Sequence, residues 1–373
     1  MKKLSNPFIL YGYVSPEYFC DRMEETEKLI SALKNGRNVT LMSPRRIGKT
    51  GLIHNAFHYI REQQEEAVCC YIDIFSTTSM RDLVKFLGEE VFTQLRTFQD
   101  NAVETFSNIL SHCRVSYTSD ELLGGKVSLE FRKEDAYITL REIFSYLVKS
   151  EKECYIAIDE FQQIAEYEEG NVEALLRTYV QQCPNVHFIF AGSKAHMMSE
   201  MFDSPKHPFY RSTEKMHLYE LPENVYYEFA STKLKSVMTI LPEEIFHKIY
   251  TIFHGHTWYI QYILNKLYET QPAVVEEEDI QRCLNDIINS NSDDYQKQYR
   301  MLTENQQQLL MSIASEGNVS SINGSDFINR YSLKGTSSIN KALKYLINNE
   351  YVYSYPEGYQ VYDRFLALWL RRR

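Results

Sequence analysis

The sequence predicts an α/β fold in which a doubly wound parallel sheet is followed by a small helical region and a C-terminal winged-helix domain. Over residues 1–221, apolar strand-like runs alternate with helical patterns, as in parallel sheets whose strands are joined by helices. Residues 222–295 contain helical patterns only, and residues 296–373 show three helical patterns followed by two short strands. These observations also give the predicted domain boundaries.

Composition excludes several broad classes of protein. The 373 residues carry a net charge of −10, which argues against a protein that coats nucleic acid but leaves room for a local basic face. No run of 18 apolar residues predicts a transmembrane helix, and the start of the chain lacks the long apolar region of a signal peptide. Seven cysteines without metal-binding spacing indicate reduced, buried thiols. We therefore expect a cytoplasmic protein without a membrane partner.

The most informative stretch is NVTLMSPRRIGKTGLIHNA at residues 38–56. An apolar run at 39–42 precedes a loop that ends in G-K-T, and a helical pattern follows. A strand, such a loop and a helix form the context of a phosphate-binding loop. The residues expected to bind the nucleotide are Ser43, Pro44, Arg45, Arg46, Ile47, Gly48, Lys49, Thr50 and Gly51.

Each part of this loop has a specific expected role. Backbone N–H groups at the start of the helix would point at the phosphates, where the helix dipole favours negative charge. Lys49 would reach the β and γ phosphates, and the Thr50 hydroxyl would ligate Mg²⁺. Ser43 stands where the motif has its first glycine, so either Ser43 reaches the turn under strain or the turn differs.

A second signal is CYIAIDE at residues 154–160, a buried-strand pattern that runs into two carboxylates. Isolated buried charge is unfavourable, and a metal ion would explain its presence. Asp159 would then hold Mg²⁺, and Glu160 would polarise the attacking water. The alternative is a strand end that becomes solvated.

A further buried strand is predicted at residues 186–191, with Ser193 just beyond it. The carboxyl ends of strands are where open α/β sheets bind ligands, so Ser193 could sense the γ-phosphate or position the water. Lys194 is expected to be a surface residue. A loop at 197–210 and a strand at 216–221 would complete a five-stranded sheet.

The other elements of the first region follow from local patterns. Helices are predicted at 23–33, 80–96, 135–149 and 172–182, a buried strand at 67–75, and an insertion at 97–134 that contains an exposed strand at 126–132.

The second half predicts a lid and a winged helix. The lid helices are expected at 223–237, 242–253, 257–269 and 277–290, and a polar hinge at 291–300. Helices at 304–315, 324–331 and 337–349, strands at 351–355 and 359–362 and an apolar tail at 365–370 follow. The turn with His254 and His256 starts a helix that could face the nucleotide, although capping or core histidines are more common.

A winged helix can bind DNA through its third helix. That helix would present Ser337, Ser338, Asn340, Lys341 and Lys344. From residue 301 onward the chain has eight basic and six acidic residues, a net charge of only +2. Phosphate binding usually needs several converging cations, so contacts with DNA and contacts with protein both remain open.

Together these motifs resemble the archaeal ATPase family of prokaryotic ATPases, which is related to the AAA+ and signal-transduction ATPases. The segments that carry the resemblance are SPRRIGKT (43–50), IAIDEFQ (156–162), FIFAGS (188–193), PFY (208–210) and VYDRFLALWLRR (361–372). The resemblance implies a P-loop ATPase core, ATP as the nucleotide, Mg²⁺ dependence, Glu160 as catalytic base and Ser193 in the sensor position. Arg211 is a candidate arginine finger, with Arg45 and Arg46 as competing cations.

The resulting hypothesis is a slow ATPase with Lys49, Glu160 and Ser193 as catalytic residues and Thr50 and Asp159 as metal ligands. Nucleotide binding would act as a switch that repositions the winged helix. Two alternatives stay open: a DNA-binding regulator gated by nucleotide, and a nucleotide-stabilised scaffold for protein contacts with little turnover. The sequence leaves the oligomeric state undetermined.

Overall fold

The computed structural model describes residues 4–96, 106, 109–120, 124–355 and 358–373. The described chain forms two compact units. The first contains Ile9–Tyr226 and His256–Trp258, and the second contains the segment up to Phe8, Tyr227–Gly255 and Tyr259–Arg373. The residues predicted as lid and those predicted as winged helix thus fall largely in one unit, and the division into three domains stays a prediction.

The first unit is built on a five-stranded parallel sheet and a separate hairpin. Its strands are β1 (Val39–Met42), β2 (Val68–Asp73), β3 (Arg114–Asp120), β4 (Gly124–Glu130), β5 (Cys154–Asp159), β6 (Val186–Gly192) and β7 (Glu214–His217). The parallel sheet has the order β2-β5-β6-β1-β7, and β3 pairs with β4 antiparallel. The predicted α/β class and five-stranded sheet are confirmed.

Helices cover both faces of this sheet. They are α1 (Met23–Lys34), α2 (Lys49–Gln63), α3 (Met80–Arg96), α4 (Ala136–Lys149), α5 (Val172–Gln182) and α6 (Ala195–Asp203). In β5, Ile156 and Ile158 join an apolar core with α3, α4 and α5, whereas Tyr155 and Ala157 join a core with α1 and α2. Because strand side chains alternate between faces, two cores on one strand show that the sheet is doubly wound.

The described part of the predicted insertion contains the β3–β4 hairpin. Val127 and Leu129 belong to the core on the α3 side, so the strand predicted at 126–132 exposes only one face. The buried Glu89 carboxylate of α3 accepts hydrogen bonds from Leu129 N and Ser128 Oγ, each at 3.1 Å. The remaining parts of the insertion, at 97–105, 107–108 and 121–123, lie outside the described residues.

The segment after β6 differs from the prediction of a loop at 197–210. It contains α6, whose Met198, Met201 and Phe202 have the spacing of one helical face and are buried. The last strand, β7, also ends earlier than predicted, at His217. Leu218 and Leu221 are buried beyond its end, which explains why their apolar pattern predicted a longer strand.

The chain passes into the second unit within α7 (Glu223–Lys235) and continues through the helices predicted as a lid and through the winged helix. The further elements are α8 (Glu243–Ile252), α9 (Thr257–Thr270), α10 (Glu277–Arg300), α11 (Glu304–Glu316), α12 (Ser325–Arg330), α13 (Thr336–Asn348), β8 (Val352–Tyr355), β9 (Gly358–Val361) and α14 (Arg364–Arg371). All of them belong to the second unit except the first two residues of α9, which belong to the first. The antiparallel pair β8–β9 and the bridge between Val319 and Tyr359 complete the winged helix.

The prediction of a polar hinge at 291–300 is wrong, because these residues continue α10. Asn291 donates its side-chain N–H to Ile287 O within the helix. The Trp369 indole N–H donates to Ser292 Oγ at 3.1 Å, and its ring lies 6.0 Å from that of the buried Tyr295. Packing against α14 thus stabilises a helix whose sequence is mostly polar.

Two predictions from composition can be compared with the described residues. Six of the seven cysteines are buried and Cys113 is half-buried, and all are free thiols. Across the described helices, none combines the length and the apolar character that a membrane span requires.

Candidate nucleotide site

The loop between β1 and α2 turns without strain at Ser43. Ser43 N–H donates to Gly192 O at 3.3 Å, which extends the pairing of β1 with β6, and Ser43 Oγ donates to Pro44 O. The left-handed backbone lies further along, at Arg46 (φ 65°) and Gly48 (φ 112°). The turn therefore differs from one that needs glycine at its first position, and any strain falls on Arg46.

Both loop arginines lie over aromatic rings. The Arg45 guanidinium is 5.1 Å from the centre of the Phe75 ring, and that of Arg46 is 4.1 Å from the Trp258 ring. Such cation–π contacts fix the long side chains beside the loop. The Ile47 side chain is fully buried in the core under α2, so only its backbone could face a ligand.

At the start of α2, Lys49 contacts two carboxylates. Its Nζ lies 2.6 Å from Asp159 Oδ1 and 3.1 Å from Glu160 Oε1. Alternation along β5 would place adjacent side chains on opposite faces, but Glu160 has a left-handed backbone (φ 55°) that redirects its side chain. All three side chains are buried, with Lys49 6 %, Asp159 3 % and Glu160 9 % exposed.

The surroundings keep both carboxylates ionised. Burial raises the pKa of Asp159, but the Lys49 charge and hydrogen bonds from Lys49, Tyr71 and Glu160 N–H lower it more, so the pKa lies below its ordinary value. Burial likewise raises the pKa of Glu160, and Lys49 with the Ser193 and Gln162 hydrogen bonds brings it below the ordinary value. At neutral pH these groups can therefore hold a cation or accept a proton.

Thr50 and Asp159 provide oxygen donors that suit Mg²⁺. Thr50 Oγ1 donates to Asp159 Oδ2 at 3.2 Å, so a hydroxyl and an ionised carboxylate converge beside Lys49. Mg²⁺ prefers such oxygen ligands and usually completes its coordination with waters and substrate phosphates. No group of three or more His, Cys, Asp or Glu in the described chain could hold a metal unaided. One hydroxyl and one ionised carboxylate nevertheless form a donor set whose chemistry fits Mg²⁺.

Ser193 follows β6 directly and contacts Glu160. Its buried Oγ donates to Glu160 Oε2 at 2.7 Å, and Gln162 Nε2 donates to the same oxygen at 2.5 Å. Gly192 makes room for Gln162, because a Cβ at this position would overlap Gln162 Oε1. The predicted catalytic residues Lys49, Glu160 and Ser193 therefore lie together.

Two residues that contact the predicted acids, Gln162 and Tyr71, are not among the site residues predicted from the sequence. Gln162 follows Glu160 by two positions and ends the segment IAIDEFQ. Its place in that segment is the one feature of the sequence that could have pointed to it. Tyr71 lies on β2 and its hydroxyl donates to Asp159 Oδ2 at 2.7 Å. Its position in a buried-strand pattern gave no indication of this contact.

Other candidate residues have contacts of a different kind. Arg211 is exposed over the Tyr210 ring at 5.2 Å, and its described contacts do not identify it as an arginine finger. Gly51 packs against Phe19, whose ring carbon would lie 2.6 Å from a Cβ at Gly51. Lys194 is partly exposed and pairs with Glu166 at 3.3 Å, in accord with a surface residue.

The two histidines of the predicted turn fall in different units. His254 lies just beyond the end of α8 in the second unit and has a left-handed backbone (φ 51°). Burial lowers its pKa, and the charges of Arg364 and Arg371 lower it further. His256 is buried and belongs to the first unit. A role for this turn at the nucleotide stays a prediction.

Similar solved structures share this fold along nearly the whole chain. A Walker-type ATPase of Pyrococcus abyssi is 19% identical, with 98% of this chain and 99% of that chain covered and a TM-score of 0.68. The ORC2 protein of Aeropyrum pernix, solved as ADPNP-ADP complexes, is 14% identical over 98% and 95% of the two chains, with a TM-score of 0.58. The Aeropyrum pernix ORC1 protein in complex with DNA is 12% identical over 98% and 96%, with a TM-score of 0.55. At such identities the likeness shows the fold alone.

Family comparisons go further than fold. No curated protein matches the chain. Residues 293–372 match a probable winged helix domain, and residues 19–263 match the ATPase domain predominantly from Archaea. Because the second match spans well over half of the chain, the protein belongs to this family of ATPase domains found predominantly in Archaea and carries a C-terminal winged helix domain.

Proposed function

We propose that the protein binds ATP with Mg²⁺, hydrolyses it slowly, and uses the nucleotide as a switch that repositions its winged helix. The observation that carries the proposal is the buried contact of Lys49 with Asp159 and Glu160 at the first turn of α2. The first N–H groups of a helix lack intrahelical partners and favour anions. An ammonium, these N–H groups and two ionised acids form a site suited to a triphosphate with a divalent cation.

Lys49 would bind the β and γ phosphates together with the start of α2. The residues that would hold Mg²⁺ are Thr50 and Asp159, whose oxygens already lie 3.2 Å apart. When bound there, the metal would neutralise charge on the phosphate oxygens. Lys49 would then share its charge between the phosphates and the acids.

Glu160 is the best placed group to accept a proton from an attacking water. Its ionised carboxylate lies beside Lys49, and Ser193 holds its Oε2 from the end of β6. Three hydrogen-bond donors, from Lys49, Ser193 and Gln162, already occupy most of its roughly four lone-pair sites. One site therefore remains open to an attacking water, and the contact with the Lys49 ammonium makes this carboxylate a weaker base, which supports slow basal hydrolysis.

The test compares ATP binding and phosphate release in the full chain and two variants. We expect wild type to bind ATP with Mg²⁺, and Lys49→Ala to lose both binding and turnover. Glu160→Gln should keep binding, while its turnover falls by about 10²- to 10⁴-fold, as for loss of a general base. Equal background rates of phosphate release in all three proteins would contradict the proposed ATPase activity. ATP binding without any turnover would favour the nucleotide-stabilised scaffold.

The switch has a separate test. The family comparison places an ATPase domain and a winged helix domain in one chain, which supports nucleotide-driven repositioning. We expect solution X-ray scattering of Glu160→Gln to differ between saturating Mg-ATP and Mg-ADP, because Glu160→Gln should keep the triphosphate intact. Identical profiles under conditions where calorimetry shows both nucleotides bound would argue against the switch.

A second candidate function is a DNA-binding regulator gated by nucleotide. The observation that favours it is the surface of α13, where Ser337, Asn340, Lys341 and Lys344 are exposed and the helix contains no acidic residue. Among the structural neighbours, the Aeropyrum pernix ORC1 protein was solved with DNA.

A salt titration of binding to duplex DNA tests this second function. Binding should weaken as salt rises, and replacing both Lys341 and Lys344 by Ala should reduce the slope of log K against log salt by about two. The control is Lys28→Ala, an exposed lysine of α1. No binding at low salt, or binding that ATP does not alter, would exclude the gated regulator.

A further inference from the structure

Tyr71 lies next to both residues proposed to bind the metal. In the parallel pairing of β2 with β5, Asp73 is opposite Asp159, so Tyr71 stands two residues earlier on the same face. Its hydroxyl donates to Asp159 Oδ2 at 2.7 Å and lies 3.4 Å from Thr50 Oγ1. One phenol oxygen therefore touches the carboxylate and the hydroxyl at once.

Aromatic packing holds the Tyr71 ring in this position. Its centre lies 4.6 Å from the ring of His54, which follows Thr50 by one helical turn on α2. On its other side His54 stacks with Tyr13 at 5.9 Å, and the Tyr13 hydroxyl donates to Asn55 Oδ1 at 3.0 Å. These layered rings restrict the movement of the phenol relative to the start of α2.

Four donors fix the orientation of the Asp159 carboxylate. Lys49 Nζ and Glu160 N–H contact Oδ1, at 2.6 and 2.8 Å, while Tyr71 and Thr50 donate to Oδ2. A hydroxyl has a single proton, so when Thr50 directs a lone pair toward a cation its proton can turn away from Asp159. Tyr71 is then the donor that keeps Oδ2 in place.

We propose that Tyr71 is a positioning residue for the divalent cation: its phenol orients Asp159 and thereby sets the affinity of the nucleotide site for Mg²⁺. This inference rests on the proposed function of the same site. Hydrogen-bond partners of metal ligands commonly change metal affinity by 10- to 100-fold when they are removed. Tyr71 meets this description, because it bonds the carboxylate and remains outside the two-residue ligand set.

The test is Tyr71→Phe in the full chain, because it removes one oxygen and keeps the ring that packs on His54. Calorimetry in EDTA measures the affinity for ATP without metal. Thermal unfolding at saturating ATP, repeated over a series of Mg²⁺ concentrations, gives the Mg²⁺ requirement, which is the concentration that produces half of the metal-dependent rise in unfolding temperature. We expect the EDTA affinity to stay within about twofold and the Mg²⁺ requirement to rise tenfold or more. Neither readout depends on hydrolysis.

Tyr155→Phe is the matched control. Tyr155 lies on the same face of the sheet, is fully buried, and donates its hydroxyl to Gln64 Oε1 at 3.1 Å, at the opposite end of α2 from Thr50. Like Tyr71→Phe, the Tyr155→Phe variant loses a phenol hydroxyl and a hydrogen bond that it donates. Its Mg²⁺ requirement should equal that of wild type. If Tyr71→Phe does not fold, His54→Leu removes the ring behind Tyr71 and should raise the Mg²⁺ requirement several-fold.

The outcomes separate this inference from the proposed function. An unchanged Mg²⁺ requirement in Tyr71→Phe, with wild type binding Mg-ATP, overturns the role of Tyr71 and leaves the ATPase proposal intact. If Tyr71→Phe loses ATP affinity equally in EDTA and in Mg²⁺, the variant has a general defect in nucleotide binding. This result would also overturn the role of Tyr71 in metal affinity. If wild type shows no Mg²⁺-dependent binding of ATP, both proposals fail.

Discussion

The Lys49 ammonium lies 2.6 Å from Asp159 Oδ1, and both side chains are almost completely buried. Glu160 also contacts Lys49, at 3.1 Å, so one buried positive charge faces two ionised carboxylates. The arrangement carries excess negative charge before any phosphate enters. Because a triphosphate adds more negative charge, we expect a divalent cation to strengthen the binding of ATP at this site.

The first prediction concerns the stability of the nucleotide-free protein. Lys49→Met keeps most of the aliphatic stem but leaves Asp159 and Glu160 buried without their cation. Removing one partner of a buried ion pair commonly costs about 3–5 kcal/mol, so the free energy of unfolding should fall by about 3 kcal/mol. Urea unfolding measures this change. Lys28→Met, which loses an exposed pair with Glu24, should change it by less than about 1 kcal/mol, and equal effects would contradict the prediction.

The second prediction separates turnover from binding. Ser193→Ala removes the hydroxyl that donates to Glu160 Oε2 at 2.7 Å. A hydrogen bond to a charged group is worth about 1.5–3 kcal/mol, so phosphate release should fall by about 10- to 100-fold while ATP affinity stays within about threefold. Ser312→Ala is the control, since its buried hydroxyl donates to Gln308 O within α11. Unchanged turnover in Ser193→Ala would remove Ser193 from the catalytic set.

Much of the site could be predicted because the carboxyl ends of parallel strands meet at one edge of the sheet. Lys49, Glu160 and Ser193 are far apart in the chain, yet each follows a predicted strand, and Lys49 and Ser193 both contact Glu160. Tyr71 and Gln162 could not be predicted in the same way. Their contacts depend on strand register and on a left-handed residue, neither of which the local pattern specifies. The chemical roles of all these residues stay predictions.

The two errors in the predicted helices have different causes. Residues 291–300 are polar enough to predict a hinge, but Trp369 of α14 bonds Ser292 and packs on Tyr295, and this tertiary contact stabilises the helix. For α6 the signal is present in the sequence, because Met198 and Phe202 have helical spacing, and the predicted loop at 197–210 did not take it into account. Local pattern is a weak guide where distant residues supply the packing.

The third prediction concerns the space around Gln162. In Gly192→Ala the new Cβ would overlap Gln162 Oε1 and lie 2.5 Å from Met198 Sδ, so Gln162 would have to move away from Glu160. Overpacking of this kind costs about 1–3 kcal/mol of folding free energy, and phosphate release should also fall. Gly170→Ala is the control, because no heavy atom lies within 4 Å of a Cβ there. Equal free energies of unfolding of the two variants in urea would show that the residues around Gly192 accommodate the extra methyl group without loss of stability.

The fourth prediction concerns pH and the start of α3. Burial raises the pKa of Asp82, but hydrogen bonds from Thr78 N–H and from the Ser79 and Thr78 hydroxyls lower it more, so the pKa lies below its ordinary value. A group whose pKa is lower in the folded than in the unfolded state stabilises the fold above the unfolded value, near 4, and this contribution disappears as pH falls through the folded pKa.

Asp82→Asn should therefore destabilise the protein at pH 7 by about 1 kcal/mol or less, since the site is largely exposed and the amide can still accept one hydrogen bond. The difference between wild type and variant should shrink between about pH 5 and pH 3. Urea unfolding across this range measures it, with Asp293→Asn, an exposed residue of α10, as the matched control. A difference that stays constant or grows toward low pH would show that the Asp82 charge does not stabilise the start of α3, and that the hydrogen bonds act through geometry alone.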